Sequence, residues 1–243
     1  MEHVSLKRKG NQKYQHNYDA FFNEDAISYY LLGAYYTDGT VFKNGASFSN
    51  QINSCDKDWL EIIRDIISPC SPVTAVCKSR PNYYRLRLSD KTISEWLISK
   101  GCIINKTLCI QFPHIPSQYL PDFIRGCMDG DGSMGIYERK NKNRNKTYLQ
   151  STCYLLSASK SFITDIILSL QDLGFTCHYK EKKVNTMKIT ILKDGHKIIP
   201  KHDQHFIVFT SRFCKEFLQW CYYPNHKLSM PRKSKIAERI ILQ

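Results

Sequence analysis

Two stretches of the chain share one hydrophobic pattern. Residues 26–41, AISYYLLGAYYTDGTV, run from an apolar, helix-like segment with a central glycine into Asp-Gly and then a strand-like segment. Residues 122–137, DFIRGCMDGDGSMGIY, do the same. The parallel extends beyond both copies. ASFSNQINS and then the amphipathic KDWLEIIRDII come after the first; TYLQSTCYLLSAS and then KSFITDIILSLQDLG come after the second. Further on, YYRLRLSDKTISEWLISKG is matched by HFIVFTSRFCKEFLQWCYY. The predicted order in each half is helix, Asp-Gly turn, strands, helix, strands, helix, an internal duplication. The first helix is expected over Glu24–Thr37, with Gly39 suited to a left-handed cap after it.

Period-two alternation assigns faces to the strands. Tyr84, Leu86 and Leu88 point one way; Tyr83, Arg85 and Arg87 point the other. Phe48 and Ile52 oppose Ser47, Ser49 and Gln51, and His178, Lys180 and Lys182 share a face. Each half therefore predicts a sheet with one apolar face and one basic, polar, tyrosine-bearing face. The second half adds a basic insertion at 141–147 and a hairpin whose turn is Asp194-Gly195. A three-proline stretch, NKTLCIQFPHIPSQYLPD, reads as the join, dividing the chain into 1–116 and 117–243.

Length and composition narrow the class. The chain has 243 residues, 42% hydrophobic and 23% charged, enough for a substantial core. It holds no apolar run of about 18 residues, so no membrane partner is expected. Lys plus Arg exceed Asp plus Glu by 35 to 22, a net charge of +13 that favours a polyanionic partner, nucleic acid first. The ten cysteines include no C-x-x-C pair and lack histidines at zinc spacing, which reads as reduced thiols of an intracellular protein.

The Asp-Gly ends pose a chemical problem. Gly33 and Thr37, like Gly126 and Gly130, lie four residues apart on one helix face, so two such helices can pack backbone to backbone. Each then delivers an aspartate, Asp38 or Asp131, to the same end of the pair. A carboxylate is disfavoured at a helix C-terminus by about 0.3–1 kcal/mol, and two carboxylates repel one another. A divalent cation held by oxygen ligands, Mg²⁺ in a cell, would compensate. Such a metal site inside a basic surface describes a phosphodiesterase acting on a duplex.

LLGAYYTDG (31–39) and IRGCMDGDG (124–132) resemble the two motif copies of the LAGLIDADG homing endonucleases. With FPHIPSQYLPDFIRGCMDGDGS joining the halves, the resemblance to single-chain members runs from about residue 20 to the end. It implies an α+β fold of two pseudo-symmetric αββαββα halves, with the motif helices at their interface through Gly33 and Gly126. Antiparallel sheets would form a saddle over DNA. It also implies a monomeric, Mg²⁺-dependent enzyme that breaks both strands of a long asymmetric target across the minor groove and leaves 3′ overhangs. Mn²⁺ is the expected substitute, and Ca²⁺ should support binding without cleavage.

By the same resemblance, Asp38 and Asp131 are the catalytic, metal-binding acids and the carbonyls of Thr37 and Gly130 are further metal ligands. The sixth motif position, often acidic, is Tyr36 and Asp129; the second, usually small, is Leu32 and Arg125. Lys233, expected on a late strand near the metals, is the catalytic lysine; its first-half place falls near Gln111. A polar position after the first strand falls near Ser54 and Ala158. The DNA contacts expected in the first half are Lys43, Ser47, Ser49, Gln51, Lys78, Arg80, Tyr83, Arg85 and Arg87. In the second they are Arg139, Lys140, Gln150, His178, Lys180, Lys182 and Lys188. The rival readings are an RNA maturase with intron RNA as partner and a catalytically silent DNA-binding protein of the same fold; retention of both acids counts against the second. The protein would work inside the cell, with the DNA.

Overall fold

The computed structural model describes residues 13–104, 108–141, 146–186, 189–191, 197–199 and 201–243. Lys188, the Asp194-Gly195 turn and residues 142–145 of the insertion lie outside the described residues.

After a short α1 (Asp19–Phe22), the first half runs α2 (Ala26–Thr37), β1 (Gly39–Asn44), β2 (Ser47–Ser54), α3 (Lys57–Ile67), β3 (Val73–Cys77), β4 (Arg80–Leu88) and α4 (Lys91–Ser99). The second runs α5 (Leu120–Asp131), β5 (Gly132–Asn141), β6 (Lys146–Ser157), α6 (Lys160–Asp172), β7 (His178–Lys182), β8 (Thr190–Ile191), β9 (Lys197–Ile198), β10 (Gln204–Thr210), α7 (Ser211–Cys221) and α8 (Pro231–Ile241). The expected order appears in both halves, so the fold is α+β with two four-stranded antiparallel sheets. Their strand orders are β1-β2-β4-β3 and β5-β6-β10-β7. The predicted hairpin appears as β8 paired with β9, and α8 is a further helix that the repeat did not contain.

Helix starts follow local chemistry. The Asp25 carboxylate accepts from the backbone N–H of Ile27 and Ser28 at 2.9 Å each, so α2 begins at Ala26 rather than Glu24. Asp90 caps α4 through Ile93 N–H, and Ser159 caps α6 through Phe162 N–H. Pro121 stands in the first turn of α5, where a missing N–H costs nothing.

Helix α2 is buried from Ser28 to Tyr36, as expected of a helix apolar on all sides. Its main neighbour is α5, and the two cross at their central glycines. A Cβ on Gly33 would stand 2.1 Å from the Phe123 carbonyl oxygen, and one on Gly126 would stand 2.2 Å from that of Tyr30. The core is one buried cluster containing residues of both halves. The join contributes Phe112, whose ring packs on Phe123 and Phe162.

The glycines after the acids act differently from the expectation. Neither Gly39 nor Gly132 has a positive φ; both open a strand directly. A Cβ on Gly39 would lie 2.6 Å from the Tyr35 carbonyl oxygen, and one on Gly132 would lie 2.4 Å from that of Met128. Glycine is needed for close approach to the helix just left, not for a left-handed cap.

Candidate active site

The two acids sit immediately after a contact between helices. Thr37 Oγ1 stands 2.0 Å from where a Gly130 side chain would begin, so these two residues abut at the ends of α2 and α5. Asp38 and Asp131 are the next residues, the first half-buried and the second exposed. The sheets leave from this same point, because β1 and β5 begin at the glycines after the acids.

A buried lysine neutralises part of the charge gathered there. Lys233 is 5% exposed, and its ammonium lies 2.8, 2.6, 2.9 and 2.7 Å from the carbonyl oxygens of Met128, Asp129, Gly130 and Gly132. It therefore caps the C-terminus of α5, where a cation is favoured. Burial pushes its pKa down, opposed by the charges of Asp129, Asp38 and Asp131, so one cation lies within the field of both terminal acids. Lys233 rides on α8, not on a strand, and its N–H groups are directed at main-chain oxygens.

Behind Lys233 sits a polar network that sequence reasoning missed. Asp129 is fully buried. Its carboxylate accepts from Tyr30 Oη at 2.7 Å, Tyr222 Oη at 2.6 Å and Met230 N–H at 2.7 Å. Tyr30 Oη in turn accepts from Trp59 Nε1 at 2.7 Å. Burial raises the Asp129 pKa against those donors. The chain of bonds joins α3 and α2 of the first half to α5 and the entry to α8. Arg125 is also fully buried, donating to the carbonyls of Leu228 at 2.7 Å and Cys221 at 2.9 Å and to Asp122 at 2.5 Å. It fills the second motif position with an ion pair where a small residue was expected. Gln111 is exposed in the join, lining a surface depression with Glu24, Tyr29 and Lys100. Ser54 is buried and accepts from Asp56 N–H; Ala158 is partly exposed.

Most of the expected DNA contacts line up on the sheet faces opposite the apolar ones. In the first sheet Gln51 pairs with Arg87 and with Thr40, Asn53 with Arg85, and Ser49 with Phe42. Arg87 Nη2 donates to Ser49 Oγ at 2.9 Å, and the Arg80 guanidinium lies 4.4 Å from the Tyr83 ring centre. Burial raises the Tyr83 pKa, with the Asp38 charge the next cause, which places this ring in the field of the first acid. Ser47 is exposed at the start of β2, and Lys78 is exposed in the β3–β4 turn. Ser49 and Gln51 are 6% and 9% exposed, pressed down by these longer neighbours.

In the second sheet, Arg139, Gln150, His178, Lys180 and Lys182 share one face by register. Two lysines fall elsewhere. Lys43 pairs with Phe48, its ammonium 5.4 Å from that ring, on the face of Val41. Lys140 is one residue out of phase with Arg139, on the face of Ile136. Because strand side chains alternate, both point away from the arginine-bearing faces.

The donor set around the acids suits a hard cation. Two carboxylates and the carbonyls of Thr37 and Gly130 are all oxygen, the preference of Mg²⁺. The Gly130 oxygen that accepts from Lys233 has a second lone pair. Among the described residues no three His, Cys, Asp or Glu side chains are grouped to hold a metal, so a cation here would rest on two carboxylates and main-chain oxygens. Among them also, no helix is long and apolar enough to cross a membrane.

No protein-family model and no curated protein matches the sequence. Solved structures do match, and they share its fold. The I-SmaMI LAGLIDADG homing endonuclease bound to cleaved DNA superposes with a TM-score of 0.54, at 10% identity over 88% of both chains. The LAGLIDADG meganuclease I-AabMI bound to uncleaved DNA gives 0.51, at 12% identity over 87% of this chain and 88% of that one. The I-LtrWI LAGLIDADG homing endonuclease bound to target DNA gives 0.50, at 12% identity over 90% of each. The chain has the two-half fold of these LAGLIDADG endonucleases.

Proposed function

We propose that the protein is a site-specific DNA endonuclease that hydrolyses one phosphodiester in each strand of a long, asymmetric duplex target, with Mg²⁺ as cofactor. The observation that carries this reading is the abutment of Thr37 on Gly130, which brings together the ends of α2 and α5, each followed at once by an aspartate and then by the first strand of a sheet. Solved proteins of the same fold are endonucleases bound to DNA.

Asp38 and Asp131, with the carbonyls of Thr37 and Gly130, would hold the cation. A divalent cation in such a site polarises the phosphate, activates water and stabilises the leaving oxygen. The chain's own work is to hold the acids. The Gly33–Gly126 crossing fixes their separation, Lys233 locks the end of α5, and the Asp129 network holds the entry to α8 against both motif helices. The sheets bind the duplex through Arg85, Arg87, Arg139, Lys180 and Lys182. Neighbouring acids address the two strands where they approach across the minor groove, which would leave short 3′ overhangs. Both acids lie in one chain, so a monomer suffices.

The test separates chemistry from binding. Asp38→Asn and Asp131→Asn should each abolish double-strand cleavage in Mg²⁺ while duplex binding, measured in Ca²⁺, stays within about threefold of the parent, because the sheets are untouched. An unchanged cutting rate in either variant, or full cleavage in chelator, refutes the assignment.

A further inference from the structure

The two sheets are built on one register, which allows their DNA-facing positions to be compared residue by residue. Gly39 pairs with Ile52 and Ile52 with Leu86; Gly132 pairs with Leu155 and Leu155 with Ile207. The rows on either side are therefore equivalent. Beside Asp38 the first sheet presents Asn53, Arg85 and, one row on, Gln51 and Arg87. Beside Asp131 the second presents Leu156, Phe206, Tyr154 and Val208 in those same four places. At these four places each amide or guanidinium of the first half is replaced by an apolar or aromatic side chain.

This patch is not the usual solvated side of a sheet, which carries polar residues. Tyr154 and Phe206 meet edge to face at 5.6 Å, and with Val208 they form the apolar part of a depression of about 320 Å³. Its uncharged polar lining, Gln150, Thr152 and Thr210, lies farther along the strands from Asp131. Its rim is cationic. Arg139, Lys180 and Lys182 surround the floor, and the Lys182 ammonium lies 5.5 Å from the Phe206 ring. An apolar floor inside a basic rim matches one occupant, the major-groove edge of a duplex whose phosphates meet the rim and whose thymine methyls meet the floor. Thymine is the one unmodified base with an apolar group on that edge. A base edge with donors and acceptors alone, set against Val208 and Leu156 rather than against the threonines farther along the strands, would lose water and gain no partner, which costs binding.

We infer that the two halves read DNA by different chemistry. The second half recognises thymine methyls through Tyr154, Leu156, Phe206 and Val208, and the first half recognises purine edges through Gln51, Asn53, Arg85 and Arg87. The inference rests on the endonuclease reading and names the specificity of that site.

The experiment enriches randomised duplexes on the full-length protein in Ca²⁺ and then varies the winners. The half-site whose preference changes in Arg87→Ala belongs to the first half. The other should be rich in A·T pairs close to the centre, and replacing its thymines with uracil should weaken binding about fourfold per methyl contacted. The same replacement in the first half-site should have little effect. Val208→Arg, which installs the first half's residue, should move the preference at one base pair from thymine to guanine; the uracil comparison uses the parent protein and stands whether or not that variant folds. Specific enrichment with no effect of uracil in the second half-site overturns the methyl reading and leaves the endonuclease reading intact. Failure to enrich any duplex overturns both.

Discussion

At the scale of single residues, the site depends on groups placed where they are costly alone. Gly126 is the plainest case. A methyl added there would lie 2.2 Å from the Tyr30 carbonyl oxygen and 2.9 Å from the Ala34 nitrogen, both main chain, so neither neighbour can swing aside. Gly126→Ala should force the motif helices apart and cost about 1–3 kcal/mol, with cleavage falling alongside. The urea midpoint and the cutting rate of the variant read both effects, and parental values in both would show that the crossing tolerates a side chain. The four-residue spacing of small residues made this crossing visible in the sequence. The enclosure of Arg125 and Asp129 was not visible, because all their partners but Asp122 lie far away in the chain: Leu228, Cys221, Tyr30, Tyr222 and Met230. Local pattern does not say which charged residue of a motif will be enclosed.

Asp56 illustrates the same limit from the exposed side. As the residue before α3 it would be expected to cap that helix, yet it makes no side-chain cap bond. Its carboxylate instead accepts from Arg232 Nε at 2.7 Å and Nη2 at 2.8 Å, joining the first half to α8. Those hydrogen bonds hold its pKa below the ordinary 3.8. Near and below that value the folded state therefore carries fewer protons than the unfolded one. The stability due to the pair is present above 3.8 and lost as the pH falls through the lower folded value. Asp56→Asn should destabilise the protein at neutral pH, and the gap to the parent should close on acidification from about pH 6 to about pH 3. Melting curves across that range check it; a gap of constant size would mean that the carboxylate charge contributes nothing.

At the scale of elements, alternation was the reliable signal and strand ends were its weak point. Leu86 and Leu88 are buried and Arg87 exposed, as period two requires. The same rule puts Lys43 with Val41 and Lys140 with Ile136, away from the face where both were expected as DNA contacts. Asn50 shows the opposite failure. It falls on the core face of β2, fully buried, with Tyr35 Oη donating to it at 2.6 Å and its own amide donating to Ser94 Oγ at 3.0 Å. The elements also pre-set the reading head. Arg87 is held by Ser49 Oγ and lies 5.9 Å from the Phe42 ring, so its planar fork is oriented within the sheet face for the proposed readout. Arg87→Ala should cost about 1–3 kcal/mol of binding and relax specificity at one base pair, with the salt slope little changed. If the loss is uniform across sequences and the slope falls by roughly one unit, Arg87 contacts a phosphate instead.

At the scale of the molecule, the duplicated pattern suggests two bodies, but the bonds that cross between the halves make them one. Tyr30 of α2 donates to Asp129 of α5 and accepts from Trp59 of α3, so a first-half helix pair is wired to the buried carboxylate beneath the second half's acid. Tyr36 packs its ring on Phe123 and Phe162, and the Ser159 hydroxyl donates to the Ile110 carbonyl of the join at 2.7 Å. A half on its own would expose the glycine-bearing face of its motif helix, and the second half alone would leave Asp129 without its Tyr30 donor. Unfolding in urea should therefore be a single transition. With Trp220 of α7 replaced by Phe, Trp59 and Trp96 report on the first half by fluorescence. The buried thiols Cys153, Cys214 and Cys221 report on the second by their reactivity, and the midpoints of the two probes should coincide. Tyr30→Phe removes one of the three donors to Asp129 and the acceptor for Trp59 together, leaving the buried Trp59 Nε1 without its partner. It should lower both midpoints in step, by about 1–3 kcal/mol of stability. Two separated transitions, or a Tyr30→Phe effect confined to the fluorescence, would show that the halves fold independently and that the network does not bind them.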